Sequence, residues 1–137
     1  NINKSIEKYN SEWYEVIYIA EVLDNIFTNK LVFGFSIRGT EGVKLVKGMN
    51  VINQNYYEKQ LPSAFTNKLF SKYIKENNIE EAVLCGVDEA GCVGATAKDC
   101  IKYGLKTFII SNATGTILPE KAKKIREHLE NSGAIYI

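Results

Sequence analysis

The chain has 137 residues, 45% of them hydrophobic and 24% charged, which is the composition of one soluble globular domain large enough to bury a core. Seventeen basic against sixteen acidic residues leave a formal charge of +1, and no Lys/Arg block of the kind a nucleic-acid binder carries is present. No apolar run approaches the ~18 residues of a membrane span, "NINKSIEKYN" lacks the apolar core of a signal peptide, and three cysteines without a disulfide-framework pattern fit a reducing compartment, so a cytoplasmic protein with free thiols is expected.

Ile2, Ile6 and Tyr9 recur at helical spacing, and the β-branched and aromatic run "WYEVIYIA" (13 to 20) reads as a buried strand. Residues 21 to 50 read as a long connection with room for a short edge strand before the Gly39 to Gly42 turn. A strand over "NVINQNYYEK" (50 to 59) is stopped by Pro62, and a helix follows over "AFTNKLFSKYIKENN" with Phe65, Leu69, Phe70 and Tyr73 as its apolar stripe. The pattern then sharpens: strand 81 to 87, helix from about Gly91 to Tyr103 closed by Gly104, strand 106 to 111, helix from Pro119 to Asn131, and "AIYI" as a last strand. Apolar strands alternating with helices predict an α/β fold, a mostly parallel sheet in a three-layer α-β-α arrangement, with ligands at the carboxyl ends of the strands.

All three cysteines fall in "LCGVDEAGCVGATAKDC" (84 to 100). Cys85 lies within an apolar strand and Cys100 continues one helical face with Thr96 and Cys92, so both read as packing. The lone His128, beside Arg126 and Glu127 on an amphipathic helix, reads as an exposed polar residue, and no Cys/His spacing suggests a metal site. Cys92 sits where a strand turns into a helix between flexible glycines. Free N–H groups at a helix start favour a thiolate and can hold an oxyanion, yet a small residue fitted to a tight turn explains the position equally well.

"GVDEAGCVGAT" followed by "YGLKTFIISNATGT" resembles the cysteine-hydrolase branch of the isochorismatase-like superfamily, which includes nicotinamidases and N-carbamoylsarcosine amidases. The matching positions are Gly86, Val87, Cys92, Val93, Thr96 and Gly104, and upstream "EKQLPSAF" supplies Lys59, Ser63, Ala64 and Phe65 of a second signature. The resemblance implies a Rossmann-like hydrolase fold in a single domain over 1 to 137. It also implies Cys92 as nucleophile, Lys59 as the cation beside it, a cis peptide at Val87-Asp88, and backbone N–H groups of Asp88 and Cys92 as the oxyanion hole. The carboxylate of Asp88, or of neighbouring Glu89, is expected to face substrate or solvent, with no catalytic role assigned to it. The cysteine points to a C–N bond, cleaved through a thioester or carbamoyl-thiol intermediate in a small amide, ureide or carbamoyl compound. "IAEVLDNIF" holds Glu21 and Asp24 but no histidine, against the Asp-x-His cluster of nicotinamidases, so no metal or other cofactor is expected and a metal-free amidase fits better. Homo-oligomers are common in the superfamily and are expected here. Its general-base aspartate ends a first central strand that precedes a helix similar to "NINKSIEKYN", so both are expected to lie before Asn1. The alternative is an inactive binding or assembly module lacking that aspartate, and an activated thiol serving as a redox sensor is a third reading.

Overall fold

The computed structural model of the protein describes residues 1–32 and 34–137. Helix α1 (Ile2–Ser11) buries Ile6 and leads into strand β1 (Tyr18–Glu21). After a short helix α2 (Phe27–Val32), strand β2 (Tyr56–Lys59) pairs parallel with β1, residue opposite residue from Tyr18↔Tyr56 to Glu21↔Lys59. Helix α3 (Lys68–Glu76) begins where Asn67 caps it, its side chain accepting from Leu69 N at 2.8 Å and Phe70 N at 3.0 Å. Strand β3 (Glu81–Val87), helix α4 (Gly94–Lys102), strand β4 (Lys106–Gly115), helix α5 (Pro119–Asn131) and strand β5 (Ile135–Tyr136) complete the chain, with β3, β4 and β5 paired in parallel in that order.

This is an α/β fold in which every ladder between described strands is parallel. It consists of two ladders, β1-β2 and β3-β4-β5, with no strand pairing between them among the described residues. Packing joins them instead. Phe70, Ile74, Ala64, Cys100 and Leu105 form one buried cluster that gathers Ile19 and Tyr57 from the first ladder and Ala82 and Leu84 from the second. A second cluster of Val93, Ala97, Ile109, Leu129 and Ala134 closes α4 and α5 over β4. Ile109 and Leu129 are fully enclosed, each worth about 1.5–3 kcal/mol of burial.

The larger differences from the sequence reading lie in the first half of the chain; in the second, α4 starts at Gly94 rather than about Gly91 and β4 runs on to Gly115 rather than stopping at 111. The expected strand at 13 to 20 is confined to its second half: Trp13 adopts a left-handed φ of 68° and is 96% exposed at the turn leaving α1. The strand expected at 50 to 59 is likewise only Tyr56–Lys59, because Asn50, Asn53 and Asn55 tie their side chains to neighbouring loops and helices rather than extending a ladder. In place of an edge strand the connection holds α2 and one bridge, Leu23↔Ile37. Leu69 points outward and Ile74 takes its place on the buried stripe of α3.

Candidate active site

The two ladders bring their carboxyl ends to one place. β2 ends at Lys59 and β1 at Glu21, and because these two are register partners in a parallel pair their side chains leave the sheet on the same face. β3 ends at Val87, the Val87-Asp88 peptide is cis, and a kinked turn over Glu89–Val93 carries Cys92 to the start of α4. Gly86, with φ of +123°, is the position where the β3-β4 register jumps from Leu84↔Ile109 to Gly86↔Thr114. A side chain there would be strained, so the glycine permits the turn that ends the strand.

Lys59 Nζ donates to Cys92 Sγ at 3.1 Å. The lysine side chain is only 4% exposed, and an ammonium removed from water needs compensating partners. It has two: the sulfur of Cys92 and the carboxylate of Glu21, whose Oε1 lies 3.7 Å from Nζ. The same Oε1 accepts from Cys92 Sγ at 4.0 Å, so thiol, ammonium and carboxylate form a closed triangle. Glu21 keeps 28% of its side chain in contact with solvent. The sequence reading considered Glu21 only as a failed metal ligand; the signal that would have found it is its place opposite Lys59 once β1 and β2 are aligned.

The remaining carboxylates of the turn are committed elsewhere. Asp88 Oδ1 accepts from Ala90 N at 2.9 Å, capping the turn. Glu89, expected to face substrate or solvent, is instead 4% exposed and held by Arg126 of α5, with Nε donating to Oε1 at 3.0 Å and the terminal NH2 group to Oε2 at 3.1 Å. Burial alone would lower the Arg126 guanidinium, but the Glu89 carboxylate beside it leaves it raised. Arg126 also lies over the ring of Tyr136, 4.4 Å from its centre. The correction has a plain cause: the arginine that claims Glu89 comes from an element 37 residues later.

The second signature serves placement. Ser63 Oγ donates to Asp99 Oδ2 at 2.5 Å, and Ala64 N donates to Thr96 Oγ1 at 3.1 Å. The segment after Lys59 is thus tied to the helix that follows Cys92. Thr96, matched as a motif residue, acts here through its hydroxyl. Burial raises the Cys85 thiol above its ordinary value, and burial, with Asp99 nearby, pushes Cys100 up to about 12. Among the described residues no group of three or more His, Cys, Asp or Glu side chains is arranged to hold a metal ion, and no helix is long and apolar enough to cross a membrane. A cavity of about 780 Å³ between Val22, Arg38, Glu58 and Asn67 reaches Lys59, though neither Cys92 nor Glu21 lines it.

A family model described as the isochorismatase domain matches residues 1–137. Isochorismatase family protein 2A of Dictyostelium discoideum is 30% identical over 83 residues, 59% of this chain and 41% of that protein. The chain spans about half the length of the curated relatives it matches. Among solved structures, nicotinamidase/pyrazinamidase of Bacillus subtilis superposes with a TM-score of 0.84 at 27% identity, covering 98% of this chain and 81% of that one. N-carbamoylsarcosine amidase of Thermoplasma acidophilum shares the fold, with a TM-score of 0.80 at 20% identity over 98% of this chain and 78% of that one.

Proposed function

The chain belongs to the isochorismatase family, and from that premise we propose that it is a cysteine-dependent hydrolase of a C–N bond in a small amide, ureide or carbamoyl compound. One observation carries the reading: the buried Lys59 ammonium donating to Cys92 Sγ at 3.1 Å. A cation at that distance, in a site partly withdrawn from water, is placed to compensate negative charge on the attacking sulfur and on the intermediate it forms.

The thiolate attacks the substrate carbonyl. The developing oxyanion is held by the backbone N–H groups of Asp88 and Cys92 at the turn leading into α4, the kind of donors that stabilise a tetrahedral intermediate. Collapse expels ammonia or an amine and leaves a thioester or carbamoyl-thiol on Cys92, which water hydrolyses. No step calls on a metal or an organic cofactor, and neither a nucleic acid nor a membrane is a partner. The exposed apolar side chains of α2 and its approach, Ile26, Phe27, Leu31 and Val32, support association of copies into a homo-oligomer, which light scattering would show directly.

The test is ammonia release from a panel of small primary amides, ureides and carbamoyl compounds, run on the full protein and on Cys92→Ser. Turnover of at least one compound that Cys92→Ser abolishes, with the variant still folded, supports the reading. Undiminished turnover by Cys92→Ser overturns it, and a panel with no turnover at all favours a binding module.

A further inference from the structure

We propose that Glu89 is a positioning residue for the reaction: clamped by Arg126 of α5, it fixes the place of the turn that carries Cys92 and the N–H groups offered to the oxyanion. The inference rests on the hydrolase reading above and adds to it a pair of charges that acts on the reacting atoms only through the backbone.

A buried ion pair does little for stability that apolar side chains of the same volume would not do as well. What a two-point pair adds is orientation. Glu89 is buried, stands in the kinked turn Glu89–Val93 that holds Cys92, and receives Arg126 Nε at 3.0 Å and its terminal NH2 group at 3.1 Å. Arg126 is in turn seated on the sheet. Its guanidinium lies over the Tyr136 ring, 4.4 Å from the ring centre, and Tyr136 belongs to β5, where it is the register partner of Ile109 on β4. A continuous line of contacts thus runs from β4 through Tyr136 and Arg126 to the carboxylate of Glu89.

The turn needs such an anchor because its own bonds close on themselves. Gly91 N and Val93 N both donate to Asp88 O at 3.0 Å, and Ala90 N donates to Asp88 Oδ1 at 2.9 Å, while Gly91 takes the non-helical angles φ −130° and ψ −105°. These contacts set the shape of the turn and leave its placement to other groups. Glu89 supplies placement twice: its side chain reaches α5, and its carbonyl oxygen lies so close to α4 that a Cβ on Gly94 would come within 2.5 Å of it. A misplacement of about 1 Å between reacting groups can cost about 100-fold in rate, so a turn that folds but sits loosely makes a poor catalyst.

The test uses the full protein with a substrate found in the panel above, and reads kcat, KM and urea stability side by side. The double variant Glu89→Leu with Arg126→Met fills the site with apolar side chains and leaves no charge stranded. It is expected to keep a stability near the parent's and a KM little changed, while kcat falls about 100-fold. A merely structural role would let kcat return together with stability, and that result overturns the proposal. Arg126→Lys keeps the positive charge and gives up the two-point contact, so it carries the test even where the double variant is unstable. Its kcat is expected to fall with KM little changed; parental kcat in Arg126→Lys, or a loss confined to KM, overturns the proposal while leaving Cys92 chemistry intact. Turnover that survives Cys92→Ser withdraws the hydrolase reading itself, and the positioning role of Glu89 with it.

Discussion

The turn that carries Cys92 has an ion pair on either side of it, and the two are built differently. Toward α5, Glu89 is grasped by both arms of a guanidinium, at 3.0 and 3.1 Å, with its carboxylate 5% exposed. Toward the strand ends, Glu21 and Lys59 meet through one oxygen at 3.7 Å and share their contact with a sulfur. A two-point pair satisfies its carboxylate and fixes its orientation. A three-way contact between ammonium, thiol and carboxylate leaves each group able to trade partners. Charges of the same kind therefore make a two-point clamp on one side of the turn and a looser three-way contact around a sulfur on the other.

Substitutions should separate the two. Lys59→Met removes the cation from the exchanging side, and turnover is expected to fall by about 100- to 1,000-fold, the range for loss of a group stabilising developing charge. Iodoacetamide labelling of Cys92 should slow in parallel, measured by mass spectrometry; labelling at the parent rate would deny Lys59 its part. Arg126→Met removes the clamp and strands a buried carboxylate. Full burial of both partners would cost 3–5 kcal/mol, but Arg126 is 39% exposed, so we expect about 2 kcal/mol in urea unfolding. Adding Glu89→Leu should restore much of that loss, and an unrelieved double variant would show that the pair is not the unit of stability.

Gly94→Ala presses on the same turn from within α4: a Cβ there would lie 2.5 Å from Glu89 O and 2.8 Å from Ile125 Cγ2. We expect about 1–2 kcal/mol of destabilisation from the overpacking, together with reduced turnover as Cys92 shifts. Wild-type stability with reduced turnover would locate the effect in the site alone. The smallest effect concerns Cys100, whose thiol is held at about 12 against an ordinary 9.0 by burial and by Asp99. A folded state that retains this proton longer than the unfolded chain is stabilised fully below about pH 9 and loses that stabilisation as pH rises toward about 12. Cys100→Ala should cost about 1 kcal/mol at neutral pH for the vacated volume and flatten this thiol's contribution to the alkaline decline. Urea midpoints between about pH 7 and about pH 10 would read both.

The second half of the fold was legible because its signals are local. Gly104 stops a helix, Pro119 starts one, and the apolar run at 81 to 87 needs no distant partner to be recognised as a strand. Cys92 and Lys59 each lie inside a short motif that singles them out, and the fold brings them within 3.1 Å of one another. What escaped depended on pairings between distant segments. Glu21 gains its meaning from lying opposite Lys59, which follows only when β1 is known to end at 21 rather than 20. Glu89 loses its solvent only when α5 folds back to present Arg126. Trp13, aromatic and next to a β-branched run, looks like strand, yet the chain reverses there and exposes it. The asparagine-rich approach to β2 satisfies its polar groups through side chains, which no periodicity reveals.

Cys92 hangs from the end of one ladder and Lys59 from the end of the other, and their contact at 3.1 Å spans the two. That contact is a gauge of how the two ladders sit against one another. A displacement of one ladder against the other is expected to lengthen the sulfur-to-ammonium gap and slow alkylation of the thiol. A labelling clock followed at increasing pressure or dilute denaturant would read that mechanical opening well before the helices melt.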